Sequence, residues 1–128
     1  MSWSVDGQAM TIRKGMVRGG RAVVRVHGVE IDPPRRRVRV EGRDVKLTDR
    51  EFRLLHLLAS NAGIVFSRED LLTKLSRRST SVTDRSVDAL VKRLRRRVEP
   101  DSTRPQYLLT VWGVGYKFSD GDGREQLS

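Results

Sequence analysis

The sequence predicts an α+β domain in which a small antiparallel sheet precedes three helices and a β-hairpin ends the ordered chain. Three observations predict this class. Apolar residues recur at every second position over residues 22–47, at helical spacing over residues 48–99, and as short alternating runs after residue 106. A length of 128 residues favours a single domain.

The domain is expected to occupy residues 22–119. Residues 1–21 are punctuated by glycines without a sustained period and are interpreted as a flexible tail or linker. Residues 120–128 are polar and glycine-containing, which is typical of a flexible C-terminal tail.

Period-two alternation predicts the sheet, because valines and one isoleucine alternate with polar or charged residues over residues 24–27, 29–32 and 37–41. Pro33-Pro34 separates two strands, since proline cannot donate to a ladder. Glu41-Gly42 predicts a hairpin turn. We expect an apolar face against the core and a basic face in solvent.

Two capping signals predict the first two helices. Thr48 and Glu51 have the capping-box spacing, and an apolar stripe follows until Gly63. Ile64–Phe66 is interpreted as a short strand, and Ser67 begins the second helix. The buried side of that helix is predicted to comprise Leu71, Leu72 and Leu75, and residues 76–82 a polar loop.

The third predicted helix, capped by Thr83 or Asp84 and ending before Pro100, separates apolar from basic residues. Asp88 and Arg95 lie on its flanks. Its apolar stripe contains Val87, Leu90, Val91, Leu94 and Val98, and its opposite face carries Arg85, Ser86, Ala89, Lys92, Arg93 and Arg96.

This basic face has two interpretations, a solvated surface or a helix that reads DNA. The face has few acids to pair with its bases, so its like charges repel unless an anion is present. Arginine, whose planar fork suits phosphate and the guanine edge, outnumbers lysine. Small Ser86 and Ala89 would let the helix approach groove walls closely. These details favour a recognition helix.

Residues 107–118 predict the hairpin. Gly113 and Gly115 permit a tight tip, and Trp112 stands near it. Trp112 either packs on the domain body or reaches a nucleic-acid backbone or minor groove. A helix with an adjacent hairpin is the winged-helix arrangement.

Charge and composition restrict the function. Lys and Arg number 26 against 16 Asp and Glu, so the net charge is +10, which suits nucleic acid better than its rival, an anionic membrane. The absence of cysteine excludes disulfides and Cys-ligated zinc, and fits a reducing cytoplasm. No apolar run approaches the roughly 20 residues that span a bilayer, so no membrane partner is expected.

An enzyme is not expected, and neither a cofactor nor a metal is indicated. His27 and His56 are far apart, and no cluster has metal-ligand spacing. Ser67 is better explained as a cap than as a nucleophile. Two binding alternatives stay open: structural RNA, which the 5% aromatic content disfavours, and a protein partner on the exposed sheet.

Taken together, three segments resemble the effector domain of the OmpR/PhoB response-regulator family. They are LTDREFRLLHLLASNAGIVFSREDLL, VTDRSVDALVKRLRRRVEP and YLLTVWGVGYKF, which lie in this order within Lys46–Phe118. The strands from about Ala22 match the family's N-terminal sheet. The resemblance implies four N-terminal strands, three helices, a short strand between the first two helices, and a hairpin wing.

The resemblance also implies double-stranded promoter DNA as partner, with the third helix as reader and Arg93 as the best candidate for a base contact. Thr110 and Tyr116 match wing positions near the backbone, and Trp112 stands where some members have an arginine that enters the minor groove. Gly113 belongs to the same tip. The remaining implied DNA-facing positions are Arg85, Ser86, Asp88, Ala89, Lys92 and Arg95, with Arg85, Ser86, Lys92 and Arg95 mainly positioning or phosphate contacts.

Residues 76–82 match the loop that meets RNA polymerase in this family. Family members act in two-component phosphorelays and carry a receiver domain, for which residues 1–20 are too short. Two copies are expected on repeated half-sites, in the nucleoid of a bacterial cytoplasm.

Overall fold

A computed structural model describes residues 21–75 and 84–120, with side chains from Val87 onward in the second range. It confirms the predicted α+β class. The elements are β1 (Val24–Val26), β2 (Val29–Asp32), β3 (Arg37–Val40), β4 (Arg43–Val45), α1 (Asp49–Ser60), β5 (Phe66–Ser67), α2 (Arg68–Leu75), α3 (Asp84–Val98), β6 (Leu108–Val111) and β7 (Gly115–Phe118).

The first sheet is antiparallel, with strand order β1-β2-β3-β4. Its alternation places Val29 opposite Val40 and Ile31 opposite Val38, and all four side chains are buried. Glu41 and Gly42 both have positive φ, 52° and 79°, which the tight turn between β3 and β4 requires. The predicted hairpin turn is confirmed.

The outer face of this sheet is not simply basic, as expected, but alternates in sign. Arg25, Glu30, Arg39 and Asp44 stand opposite one another across the four strands. Arg25 pairs with Glu30 at 3.3 Å and Arg39 with Asp44 at 3.1 Å. The expectation was wrong because alternation along each strand does not give the register between strands. That register places acids beside these arginines.

Both predicted capping signals are present. Thr48 Oγ1 accepts from the Glu51 backbone N–H at 3.2 Å, and Glu51 Oε1 accepts from the Thr48 backbone N–H at 3.0 Å. Ser67 and Asp70 make the same reciprocal pair at the start of α2, at 3.0 and 3.1 Å. These contacts satisfy amides that a helix start leaves without partners.

The second sheet has the order β5-β7-β6, with β7 antiparallel to both neighbours. The strand predicted at Ile64–Phe66 forms instead at Phe66–Ser67, where Phe66 pairs with Tyr116. Gly115, predicted in the hairpin tip, lies in β7 opposite Ser67. A Cβ at Gly115 would lie 2.0 Å from the Phe66 carbonyl oxygen, so the close strand approach requires glycine.

The core lies between the sheets and helices, and α3 packs against both α1 and α2. Leu72 is only partly buried, whereas its predicted partners Leu71 and Leu75 are fully buried. The predicted apolar stripe of α3 is confirmed, because Val87, Leu90, Val91, Leu94 and Val98 are all buried.

Some predictions fall outside the described residues. They concern the tails, of which Arg21 and Asp120 alone are described, the loop at residues 76–82, and Thr83 as a helix cap.

Candidate nucleic-acid interface

The third helix presents its basic side to solvent. Ala89, Lys92, Arg93 and Arg96 are exposed, and we call these four residues the outward face. Lys92 and Arg96 are four residues apart, so they are neighbours on the helix surface. Neither pairs with an acid within residues 21–75 and 87–120. Two unpaired cations beside the small Ala89 form a surface that attracts a polyanion.

Arg93 lies on the edge of the outward face that borders α1. Its Nε is 3.8 Å from Glu51 Oε2, and the Nε of Arg97 is 3.9 Å from Glu51 Oε1. The Arg93 side chain is 55% exposed, whereas that of Glu51 is 2% exposed. At this distance Glu51 attracts the guanidinium without a hydrogen bond, so its N–H donors remain available for a ligand.

Arg95 lies on the opposite edge, where α3 meets the hairpin. Its Nε and Nη2 donate to the Leu108 carbonyl at 3.1 and 2.9 Å, and Nη2 also donates to Thr110 Oγ1 at 2.8 Å. The guanidinium carbon lies 5.7 Å from the centre of the Tyr116 ring. Burial lowers the pKa of Arg95. These contacts fix β6 to the helix.

Asp88, one turn before Lys92, makes the second connection to the hairpin. Its Oδ1 accepts from the Tyr116 hydroxyl at 2.6 Å and from Arg68 Nε of α2 at 2.8 Å. The Arg68 hydrogen bond, followed by that of Tyr116, lowers the pKa of the Asp88 carboxyl. Burial, followed by the hydrogen bond to Asp88, raises the pKa of Tyr116. We call Asp88, Arg95, Thr110 and Tyr116 the joint.

Glu99 fixes the root of the hairpin to the end of α3. The buried carboxylate accepts backbone N–H groups of Gln106 at 2.7 Å, Tyr107 at 3.0 Å and Leu108 at 2.8 Å. Burial raises the pKa of Glu99, and these hydrogen bonds oppose that rise. Helix and hairpin therefore form one unit at both the root and the joint.

The hairpin tip projects into solvent. Trp112 is 89% exposed and Val114 is 52% exposed, so the interpretation that Trp112 packs on the domain body is wrong. Gly113 between them has φ of 80°, and a Cβ there would meet no atom within 4 Å. We call Trp112, Gly113 and Val114 the tip.

The structure thus distributes the predicted site residues over the outward face, the joint and the tip. The backbone of Arg85 and Ser86 lies in the first turn of α3, and their side chains are outside the described part. The sequence pattern did not predict that Glu51, Glu99 and Arg68 contact the residues of this interface or the hairpin. One signal could have identified Arg68, because a cation at the first position of a helix opposes the helix dipole and needs an acidic partner.

No group of three or more potential metal-ligating side chains occurs in the described part of the chain. Within the same residues, no helix combines the length and apolarity needed to cross a bilayer.

The family model "Transcriptional regulatory protein, C terminal" matches residues 42–118. The chain belongs to this family. The effector domain is 47% identical over 88 residues to the regulatory protein VirG of Agrobacterium fabrum, covering 69% of this chain and 34% of VirG. It is 39% identical over 90 residues to the transcriptional regulatory protein AruR of Pseudomonas aeruginosa, covering 70% of this chain and 37% of AruR.

Solved structures agree with this membership. The response regulator DrrB of Thermotoga maritima, described as an OmpR/PhoB homologue, superposes with a TM-score of 0.69 at 38% identity, over 76% of this chain and 44% of DrrB. The RstA DNA-binding domain of Klebsiella pneumoniae was solved in complex with the RstA box. It superposes with a TM-score of 0.68 at 34% identity, over 77% of this chain and 98% of the RstA domain.

The effector domain is therefore a DNA-binding winged helix of the OmpR/PhoB type that serves transcription regulation, and the resemblance and fold predicted from the sequence are confirmed. The chain spans about a third of the length of the VirG relative.

Proposed function

We propose that the domain binds double-stranded promoter DNA with α3 in the major groove and the β6–β7 hairpin on the backbone or minor groove. The outward face carries this proposal: Lys92 and Arg96 lack acidic partners within residues 21–75 and 87–120, and Ala89 leaves room beside them. Basic side chains without internal partners bind a duplex by displacing its condensed counterions.

Arg93 is our candidate for base reading. Its half-exposed guanidinium has Glu51 on the α1 side, which limits its orientations without occupying its hydrogen-bond donors. A bidentate contact from arginine to the O6 and N7 of guanine is the commonest specific contact in the major groove. Lys92 and Arg96 are assigned to phosphates, which position the helix without reading sequence.

Asp88, Arg95, Thr110 and Tyr116 are assigned a positioning role, because their polar atoms are already bonded to one another or to the hairpin backbone. Arg85 and Ser86 are assigned to phosphates by the family resemblance.

The further partners follow from the family. We assign RNA polymerase to residues 76–82, and a second copy of the domain to an adjacent half-site. Promoter sites would then repeat at about one helical turn of DNA. A whole protein built on this domain would act in a two-component phosphorelay, in the nucleoid of a bacterial cytoplasm.

Selection of genomic fragments with the purified chain, followed by titration of a selected duplex, tests the proposal. Arg93→Ala is expected to cost about 1–3 kcal/mol and to relax preference at one base pair. Lys92→Ala should weaken all duplexes alike and lower the salt dependence of log K by about one unit.

Structured RNA at equal salt serves as the competitor. Stronger binding to that RNA than to the selected duplex would refute the proposed function. An unchanged base preference in Arg93→Ala would refute the base-reading role alone.

A further inference from the structure

The tip differs in chemistry from the rest of the DNA-facing surface. In a chain with net charge +10, residues 111–115 (VWGVG) contain no charged side chain. Trp112 and Val114 are nevertheless the two most exposed large hydrophobic residues within the described part. Since a hydrophobic surface of this size is unfavourable in water, its burial against a partner would contribute to binding.

The tip is continuous with the proposed DNA surface. Thr110, two residues before Trp112 in β6, accepts from Arg95 of α3, and its cross-strand partner Tyr116 donates to Asp88. β6 ends at Val111 and the turn that contains Trp112 follows directly, so the tip begins two residues after Thr110 of the joint. The joint therefore ties the hairpin that carries the tip to the helix that carries Lys92 and Arg96.

Two occupants are conceivable for the tip, and charge separates them. A second copy of this chain carries the same +10, so repulsion between like charges opposes its approach to the tip in the absence of DNA. A duplex is attracted by the cations of the outward face, and the minor-groove side of its base steps offers an apolar surface to an inserted side chain. The charge distribution therefore favours DNA.

We propose that Trp112 enters the minor groove as an apolar wedge that contacts or partly unstacks one base step beside the major-groove site. This inference rests on the proposed function and specifies which DNA sequences the domain prefers. A cationic side chain is attracted by the negative potential of a narrow A-tract minor groove. An inserted apolar side chain instead favours a base step that unstacks readily. The preferred sites carry a pyrimidine–purine step, TA or CA, where the tip meets the groove.

The first test uses Trp112 as its own reporter. The chain has two tryptophans, at positions 3 and 112, so Trp3→Phe leaves one fluorophore. Saturation with a single half-site duplex should quench the emission of Trp112 and protect it from acrylamide. 2-Aminopurine placed at the TA or CA step should brighten on binding, because unstacking relieves its quenching. Trp112→Ala should abolish that brightening.

The second test is a substitution series at Trp112 on the same half-site. Trp112→Ala should weaken binding on the order of 10-fold with an unchanged salt slope, since no charge is lost. Trp112→Phe should retain most of the affinity. Trp112→Arg should steepen the salt slope by about one unit and move the preference towards A-tracts. Equal melting temperatures of the variants and the parent chain would show that the substitutions leave the fold intact. Val114→Ala removes a smaller hydrophobic side chain from the same tip and is the control.

Two outcomes overturn the wedge. In the first, Trp112→Ala binds the half-site as tightly as the parent chain while the emission of Trp112 stays unchanged at saturation. In the second, the loss appears only on duplexes with two half-sites, which would make the tip a contact between copies. In both, duplex binding by the parent chain persists, whereas failure of the proposed function would abolish it.

Discussion

At the scale of single residues, the carboxylate of Glu51 interacts with two elements, α1 and α3. It completes the capping box of α1 and lies within 4 Å of Arg93 and Arg97 of α3. At 1% exposure the desolvation of this group is unfavourable, and the Thr48 amide together with the two guanidiniums offsets it. The start of α1 is thereby linked electrostatically to the edge of the outward face.

Glu51→Gln tests this link. The amide can still accept from Thr48, but it loses the charge that attracts Arg93, so we expect about 1 kcal/mol less stability and a weaker base preference. Urea unfolding and binding to matched duplexes measure the two effects. Glu69→Gln, in the first turn of α2, is the control: losing its interaction with the helix dipole should cost about 0.3–1 kcal/mol of stability, but the base preference should not change. Unaltered base preference in Glu51→Gln would show that Glu51 does not orient Arg93.

His56 makes the stability of α1 depend on pH. Burial, followed by the charge of Arg36, lowers the pKa of His56 below 6.5, and its buried Nε2 has no hydrogen-bond partner in the described part of the chain. The unfolded chain therefore binds the proton more readily than the folded one. Stability should fall as the pH decreases from about 6.5 through the lower folded pKa.

The substitution His56→Leu should reduce this acid-side loss, because it removes the titrating group. Urea unfolding at about pH 7.5 and pH 5.5 measures the difference for both proteins. An equal loss in His56→Leu and the parent chain would assign the acid sensitivity to the carboxylates.

At the scale of elements, α3 and the hairpin act as one unit through the joint. A helix placed in the major groove brings the tip to the minor groove only if the angle between helix and hairpin is fixed. Arg95 sets that angle by donating to both Leu108 and Thr110, and Tyr116 does so by donating to Asp88.

Two tyrosines offer a matched test of this coupling. Tyr116→Phe removes the hydroxyl that bonds Asp88, and Tyr107→Phe removes the one that bonds Glu41 at the other end of the hairpin. Each should cost about 1 kcal/mol of stability. Only Tyr116→Phe should also weaken duplex binding several-fold. Equal binding losses in both variants would mean that general stability, rather than the joint, controls affinity.

Much of the fold could be predicted because its signals are local. Alternation specified the strands of the first sheet, capping residues specified the starts of α1 and α2, and a stripe of five apolar residues specified the buried side of α3. β5 was misplaced because it is only two residues long and forms by pairing with β7, about fifty residues later. Gly115 lies in β7 rather than in the predicted tip for the same reason, since the strand that crowds it is distant in sequence.

For the site, periodicity identified the outward face but not the partners of its edge residues. Arg93 and Arg95 are two residues apart, yet one borders Glu51 of α1 and the other bonds β6. Those environments depend on how α3 packs against its neighbours. The periodicity of one helix carries no information about that packing.

At the scale of the whole molecule, the net charge of +10 is unevenly arranged. The arginines on the outer face of the first sheet stand beside acids, as Arg39 does beside Asp44. Lys92 and Arg96 on α3 have no such acids within residues 21–75 and 87–120. The unpaired cations of the outward face strengthen the positive potential along α3, so DNA should meet that helix and leave the outer face of the first sheet in solvent.

Two exposed arginines test this arrangement with the same change of charge. Arg96→Gln should lower the slope of log K against log salt by about one unit and weaken binding to every duplex, because a phosphate contact is lost. Arg39→Gln should leave the slope unchanged, because that guanidinium is paired with Asp44 outside the proposed interface. Both slopes come from titrations of one duplex between about 50 and 200 mM salt. If Arg39→Gln lowers the slope as much as Arg96→Gln, binding reflects the total charge of the domain, and the assignment of the interface to α3 is refuted.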